Sequence, residues 1–405
     1  MANKASVVCC PKLPVIMNSL ATSLALLAVS CSVLAQPADT TQTVVSGQVA
    51  PDSGLVVTGY VEAYYAHDFT APAITQERPG FLYNHKRNRE LNINLAFVKA
   101  AYSSSRVRGN LALQVGTYAH YNYAAEQQLT RNIFEASAGV KLSKSRDLWF
   151  DAGIFTSHIG FESAISKDCW TLTRSLMAEN SPYYLSGAKV TYNSTNGKWT
   201  VLGMLTNGWQ RIKRLDGYSG PSISTQVQYR PSAKLTLNWS SFLGSDRPDL
   251  LQQRRFFNNF YAVINPGNGS SAGRFGLILG FDIGADQKPV VRTGPDPFAV
   301  PQRIGAGSYI WYSPVVIARY KASDKSYVNG RVEYYEDLNG VIISTDTANA
   351  FQTLGYSLGY DYAILPNALF RIEGKVYDSK DPIFESKAGL SHTNTSLTTS
   401  LAVSF

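Results

Sequence analysis

Along the chain from about Gly54 to its last residue, apolar and polar side chains alternate, and a period of two commits those segments to strands. Ile223, Thr225, Val227 and Tyr229 alternate with Ser224, Gln226, Gln228 and Arg230. Leu91, Ile93, Leu95 and Phe97 share a face opposite Asn92, Asn94 and Ala96. Phe275, Leu277, Leu279, Phe281 and Ile283 oppose Arg274, Gly276, Gly280 and Asp282. Leu354, Tyr356, Leu358, Tyr360 and Tyr362 oppose Thr353, Gly355, Ser357, Gly359 and Asp361. Successive strand side chains point to opposite faces, so each segment has one greasy and one wettable face.

An antiparallel sheet in water alternates too. Three features favour a bilayer instead. The segments run to ~10 residues or more, the length a tilted strand needs to cross hydrocarbon. Their apolar faces carry Tyr, Trp or Phe near the ends, as interfacial girdles do. The connections alternate between tight and long. Tight ones fall at 103–106, 143–147, 193–197, 231–234, 323–325 and 365–367, with a looser turn at 265–272. Long ones fall at 68–90, 119–131, 158–182, 210–221, 245–254, 285–303, 338–349 and 379–391. That order implies about sixteen antiparallel strands, enough to enclose a water-filled lumen.

Charges decide which face is wet. Arg331 and Glu333 lie with Asn329, opposite Val328, Val332 and Tyr334; Arg371, Glu373 and Lys375 oppose Phe370, Ile372 and Val376. Turning the three basic residues toward mid-bilayer lipid would cost roughly 2–4 kcal/mol each. A one-residue slip is therefore worth on the order of 10 kcal/mol, comparable to ordinary folding stability. The lumen is expected to be polar.

The N-terminus reads as an export signal over residues 1–35. Lys4 and Lys12 precede an apolar stretch from Leu20 to Val29, and Val33-Leu34-Ala35 fits a cleavage site before Gln36. Met17 is an alternative start, and a lipoprotein site at Cys31 is disfavoured by Ala28. Residues 36–53 read as a periplasmic linker and 54–405 as the barrel. Past the signal only Cys169 remains, so no internal disulfide is expected, and it reads as a small loop residue. No stretch there supplies ~20 uninterrupted apolar residues, so a membrane-spanning chain must close into a barrel. Charged residues are only 16% of the chain and the net charge is +8. No basic run or nucleic-acid motif accompanies that excess, which leaves lipid head groups or anionic solutes as partners.

The last strand sets Leu397, Thr399, Leu401, Val403 and Phe405 opposite Ser396, Thr398, Ser400, Ala402 and Ser404. Its terminal Phe405 resembles the signal read by the barrel-assembly machinery. The chain as a whole resembles the β-barrel porin family described as OmpL-like. The resemblance rests on Gly153-Ile-Phe-Thr-Ser-His-Ile-Gly-Phe-Glu162, on Thr173-Arg174 and on Ala178-Glu-Asn-Ser-Pro-Tyr-Tyr184. Gly59-Tyr-Val-Glu-Ala-Tyr-Tyr65, Asn92-Ile-Asn-Leu-Ala96, Arg331-Val-Glu-Tyr-Tyr335 and Tyr360-Asp-Tyr362 extend it over about 54–405. It implies a single outer-membrane barrel with a porin-like role.

A pore needs a constriction whose charges discriminate solutes. The connection 158–182 is the candidate, with Glu162, Lys167, Asp168, Arg174 and Glu179 and a short helical piece near 170–178. Rim packing of that loop is the alternative. Arg230, Arg319, Arg331, Glu333, Arg371, Glu373 and Lys375 form a mildly basic lumen wall that would favour anions. They equally suit cross-strand pairing without selectivity. His67, His85, His120, His158 and His392 fall on the external side, but no two sit at metal-ligand spacing and no nucleophile motif accompanies them. Neither catalysis, a cofactor nor a metal is expected. Tyr64, Tyr65, Tyr118, Tyr121, Tyr123, Tyr183 and Tyr184 fit an interfacial girdle better than a sugar-binding slide.

The expectation is thus an all-β chain: one transmembrane up-and-down barrel of about sixteen strands after a cleaved signal peptide. It would pass small hydrophilic solutes passively through the outer membrane. A non-transporting barrel whose loops bind a partner is the alternative. No feature marks an oligomer interface, and a homo-oligomer is left open.

Overall fold

The computed structural model describes residues 54–405 apart from 219, 246, 252, 266–270, 292–301, 304 and 306. The expected signal peptide and linker lie outside the described residues.

Sixteen antiparallel strands close into one barrel in chain order. They are β1 (Gly54–Asp68), β2 (Leu91–Ser103), β3 (Val107–Val115), β4 (Ile133–Lys141), β5 (Asp147–Thr156) and β6 (Tyr184–Asn193). There follow β7 (Trp199–Thr206), β8 (Ser222–Ser232), β9 (Leu235–Gly244), β10 (Arg255–Ile264) and β11 (Phe275–Gln287). The last are β12 (Ser308–Lys321), β13 (Ser326–Asp337), β14 (Phe351–Leu365), β15 (Ala368–Ser379) and β16 (Thr393–Ser404). The seam is β1 on β16, running from Tyr60 opposite Ser404 to Asp68 opposite Ser396. Gly59 and Phe405 exchange backbone hydrogen bonds of 2.6 and 3.0 Å beside it. A β-carbon on Gly59 would collide with the Phe405 ring, so the bare glycine lets the C-terminus close the sheet. Every expected tight turn and long loop joins the strands foreseen, though parts of the 265–272 and 285–303 connections lie outside the described residues.

Alternation sorts the wall as expected. Leu358, Tyr356 and Tyr360 are exposed outward, whereas Thr353 and Asp361 are buried on the inner face. Trp199, Phe275, Tyr320 and Tyr362, near the turn ends, are exposed on the outer surface as an aromatic belt.

Three expectations need correction. In β2 the alternation breaks: Glu62 pairs with Leu95 but Ala63 pairs with Ile93, so Asn94 is an extra residue in a bulge. The bulge shifts the phase by one. Leu91 and Ile93 keep the outer face, while Leu95 is fully buried and Phe97 packs on Tyr60 and Phe134 inside. The bulge is held by polar contacts: Asn94 donates to Glu62 Oε2 (3.0 Å) and accepts from the His85 amide (2.8 Å).

Second, five of the seven candidate girdle tyrosines point inward. Tyr64, Tyr118, Tyr123, Tyr183 and Tyr184 are buried; Tyr123 stacks on Tyr184 at 4.0 Å, and Tyr184 donates to Glu126.

Third, the lumen is not polar along its whole length. Toward the long loops, inward residues of six strands (Phe242, Phe257, Trp311, Tyr335, Phe351 and Tyr377) form one dry cluster with Leu82, Leu176, Trp209 and Phe384 from the loops. Those loops fold into the barrel and displace water, so the wall facing them gains by being apolar.

Candidate functional site

The connection between β5 and β6 runs inward and crosses the lumen. It carries a single helical turn, Leu176–Glu179, capped by Ser175, whose hydroxyl accepts from the Ala178 amide. Ser166, Thr171, Arg174, Ser175 and Leu176 are wholly buried inside the barrel.

Two features of the wall receive this loop. The first is a row of inward glycines on β11. A β-carbon on Gly276 would lie 2.5 Å from the Trp170 ring, and one on Gly280 would lie 2.6 Å from Phe161 and 3.0 Å from Met177. Strand period places these glycines on one face four residues apart, leaving a groove that loop side chains fill.

The second is a set of charges on β13–β15. Arg331 donates to the Thr173 carbonyl (2.7 Å), to Thr171 and Thr173 hydroxyls (both 2.9 Å) and to Glu373 (3.0 Å). Glu373 accepts from the Thr173 amide and hydroxyl, and Glu333 from the Leu176 amide. Lys375 donates to the Arg174 carbonyl and pairs with Glu333, both at 2.9 Å. Arg371 holds Asp361 and donates to the Ser166 and Trp170 carbonyls. Arg319 sits 3.8 Å from Asp361 and over the Tyr327 ring.

Six of the seven expected lumen-wall residues therefore do something other than line a pore. Arg331, Glu333, Arg371, Glu373 and Lys375 dock the loop, Arg319 packs beside Asp361, and only Arg230 borders open volume. The expected constriction set divides likewise. Arg174 spends its guanidinium on the loop's own Ser163, Leu172 and Ala164 carbonyls, at 2.5, 2.5 and 3.0 Å. Glu179 pins the 69–90 loop by accepting from the Tyr83 amide at 2.8 Å. Glu162 bonds Ser175 and stands 3.7 Å from Arg331; burial pushes its carboxyl upward. Glu162, Lys167 and Asp168 border the remaining space, and the last two pair at 3.7 Å. Burial also raises the Asp168 carboxyl, and it pushes the Cys169 thiol up to about 11.

That space is a cavity of about 1180 Å³ between the turn-side wall and the underside of the loop, with Ser232, Asn265 and Phe405 at its mouth. Its wall charges were not singled out in the sequence. Lys99 pairs with Glu135 at 2.6 Å, Arg108 with Asp151 at 2.5 Å, and Lys189 projects over the Phe155 ring at 3.9 Å. Arg108 and Lys189 each stand between outward residues, as Lys189 does between Ala188 and Val190, so alternation finds them; Lys99, like Phe97, is turned inward by the bulge at Asn94. The histidines do not converge. His85 meets Glu62 (3.1 Å), His158 meets Ser224 (2.8 Å), and no three His, Cys, Asp or Glu among the described residues could hold a metal.

A family model described as "Putative beta-barrel porin-2, OmpL-like" matches residues 54–405. No curated protein matches by sequence. Among solved structures, an anion-selective porin from Comamonas acidovorans aligns with a TM-score of 0.54 at 10% identity, covering 87% of this chain and all of that one (100%). The OmpF of Salmonella typhi, in complex with daunomycin, aligns with a TM-score of 0.54 at 11% identity, covering 87% of this chain and 97% of that one. The OmpT of Vibrio cholerae aligns at 0.52 and 11%, covering 88% and 99%. At such identities the likeness is one of fold.

Proposed function

This chain belongs to the OmpL-like β-barrel porin family, and from that premise we propose that it is an outer-membrane channel passing small hydrophilic solutes passively, with a preference for anions. The observation that carries the reading is the cavity beneath the inward loop, whose walls hold Lys189 and Arg230 without a carboxylate in ion-pair range among the described residues. Lys99 and Arg108 are balanced by Glu135 and Asp151, so the uncompensated charge is positive. A low-dielectric wall focuses such a field and raises the local anion concentration.

Loop 157–183 is the constriction in this reading, with Lys167 and Asp168 half-buried on the edge that faces the cavity. The work is diffusion, with no catalytic step, metal or cofactor. Outer-membrane lipid surrounds the barrel, and Phe405 serves as the terminal mark for the barrel-assembly machinery.

Reconstitution in a planar bilayer tests it. The expected result is a small conductance, a reversal potential across a KCl gradient of the anion-favouring sign, and a larger conductance once most of 163–174 is deleted. Absence of current from both proteins would reject the channel. The dry cluster around Trp311 and Phe257 favours a second reading in that event, a sealed barrel whose outer loops bind a partner.

A further inference from the structure

We propose that the turn-side cavity is a binding site for small organic anions bearing an apolar ring, monocarboxylates of the benzoate kind, with Lys189 as the carboxylate anchor. The proposal deepens the channel reading, on which it rests for the idea that solutes visit the lumen.

Strand register sets the charges out in rows. Arg108 lies opposite Gly139, Gly139 opposite Asp151, and Asp151 opposite Lys189, so one carboxylate stands between two cations. Asp151 is committed to Arg108, which reaches both of its oxygens. Two inward positions along β3 from Arg108, Lys99 lies opposite Ala112, and Ala112 opposite Glu135; Lys99 and Glu135 form their own pair. Three cations thus face two carboxylates, and the ammonium left over is that of Lys189.

The surroundings of Lys189 are aromatic. Phe155 lies under its ammonium, and Phe97 stacks on Phe134 with centroids 5.1 Å apart on the same inner wall. All border the cavity, and Phe97, packed between Tyr60 and Phe134, is only partly buried, so the part of its ring left exposed is open to a guest. The β2 bulge is what turns Phe97 inward. A guest with a carboxylate at one end and a ring at the other meets both requirements. Acetate satisfies only the charge, and benzylammonium only the ring.

The test is equilibrium dialysis of radiolabelled benzoate against the purified full-length protein in detergent, with acetate and benzylammonium as competitors. Benzoate is expected to bind saturably, with acetate roughly tenfold or more weaker because it buries no ring. Lys189→Gln should weaken benzoate by roughly tenfold, the scale of one lost charge-assisted hydrogen bond. Lys189→Arg should restore most of it. Phe97→Ala should weaken benzoate while leaving acetate unchanged. Retention of the heat-modifiable band on electrophoresis certifies that each variant is folded. Unsaturable benzoate uptake, equal displacement by benzylammonium, or full affinity in folded Lys189→Gln would each overturn the site. Current without benzoate binding would defeat this inference and spare the channel; benzoate binding without current would do the reverse.

Discussion

Thr173 and Glu373 stand 200 residues apart in the chain, yet the Thr173 amide and hydroxyl both donate to the Glu373 carboxylate at 2.7 Å. The contact ties the inward loop to β15. It also explains why ionic residues sit on the wall of a barrel where no water reaches them. A buried carboxylate persists only when its oxygens are satisfied, and here backbone and hydroxyl donors of the loop satisfy it together with Arg331. Loop and wall hold each other.

Removing Glu373 should release the loop. Glu373→Ala leaves Arg331 with one buried partner fewer, a change that costs about 3–5 kcal/mol when a buried pair is broken. Cys169 reports the outcome, being the only cysteine from residue 54 onward and buried. Its raised thiol should resist maleimide at pH 7 in the parent and react readily in Glu373→Ala, with Glu373→Gln between them. Equal labelling in all three would show that the loop does not depend on this anchor.

The glycine groove makes a steric prediction. Gly280→Leu would drive a side chain into Phe161 and Met177, so it should raise single-channel conductance and expose Cys169. Gly374→Ala meets nothing within 4 Å and should leave conductance and thermal stability unchanged. Conductance unaltered in folded Gly280→Leu would refute the docking role of β11.

Acid should destabilise the fold partly through His158. Burial, with Lys189 nearby, lowers its imidazole to about 3, against roughly 6.5 in an unfolded chain. Between those values the unfolded state binds the extra proton. This contribution is therefore complete above about pH 6.5 and is lost as pH falls toward 3, by at most ~1.4 kcal/mol per pH unit. His158→Gln should flatten the acid limb of a melting-temperature profile relative to the parent. A parallel limb would contradict the assignment.

The two faces of the wall should differ in their tolerance of charge. Leu358 is 68% exposed on the outer surface near the middle of β14, so Leu358→Arg should destabilise by roughly 2–4 kcal/mol in urea titrations from lipid vesicles. Thr200 borders the cavity, and Thr200→Arg should cost little while shifting the reversal potential further toward anions. Similar losses from both would contradict the orientation of the sheet.

The strand count, the loop and turn order and the outward face of most strands follow from the sequence alone, because a period of two is a local property and lipid punishes a misplaced charge. Alternation also marks Arg108 and Lys189 as inward, whereas Lys99 turns inward only because the bulge at Asn94 shifts the phase of β2. What such a pattern cannot carry is what an inward residue meets. Arg331 and Glu373 read as pore charges because their partner, Thr173, lies far away in the chain and on a loop without periodicity. The inward aromatics near the loops likewise acquire their dry neighbours only when distant loops fold in together. Even the one phase error, at Asn94, arose from a tertiary event: a bulge stabilised by Glu62 and the His85 amide, which the residues of β2 do not encode by themselves.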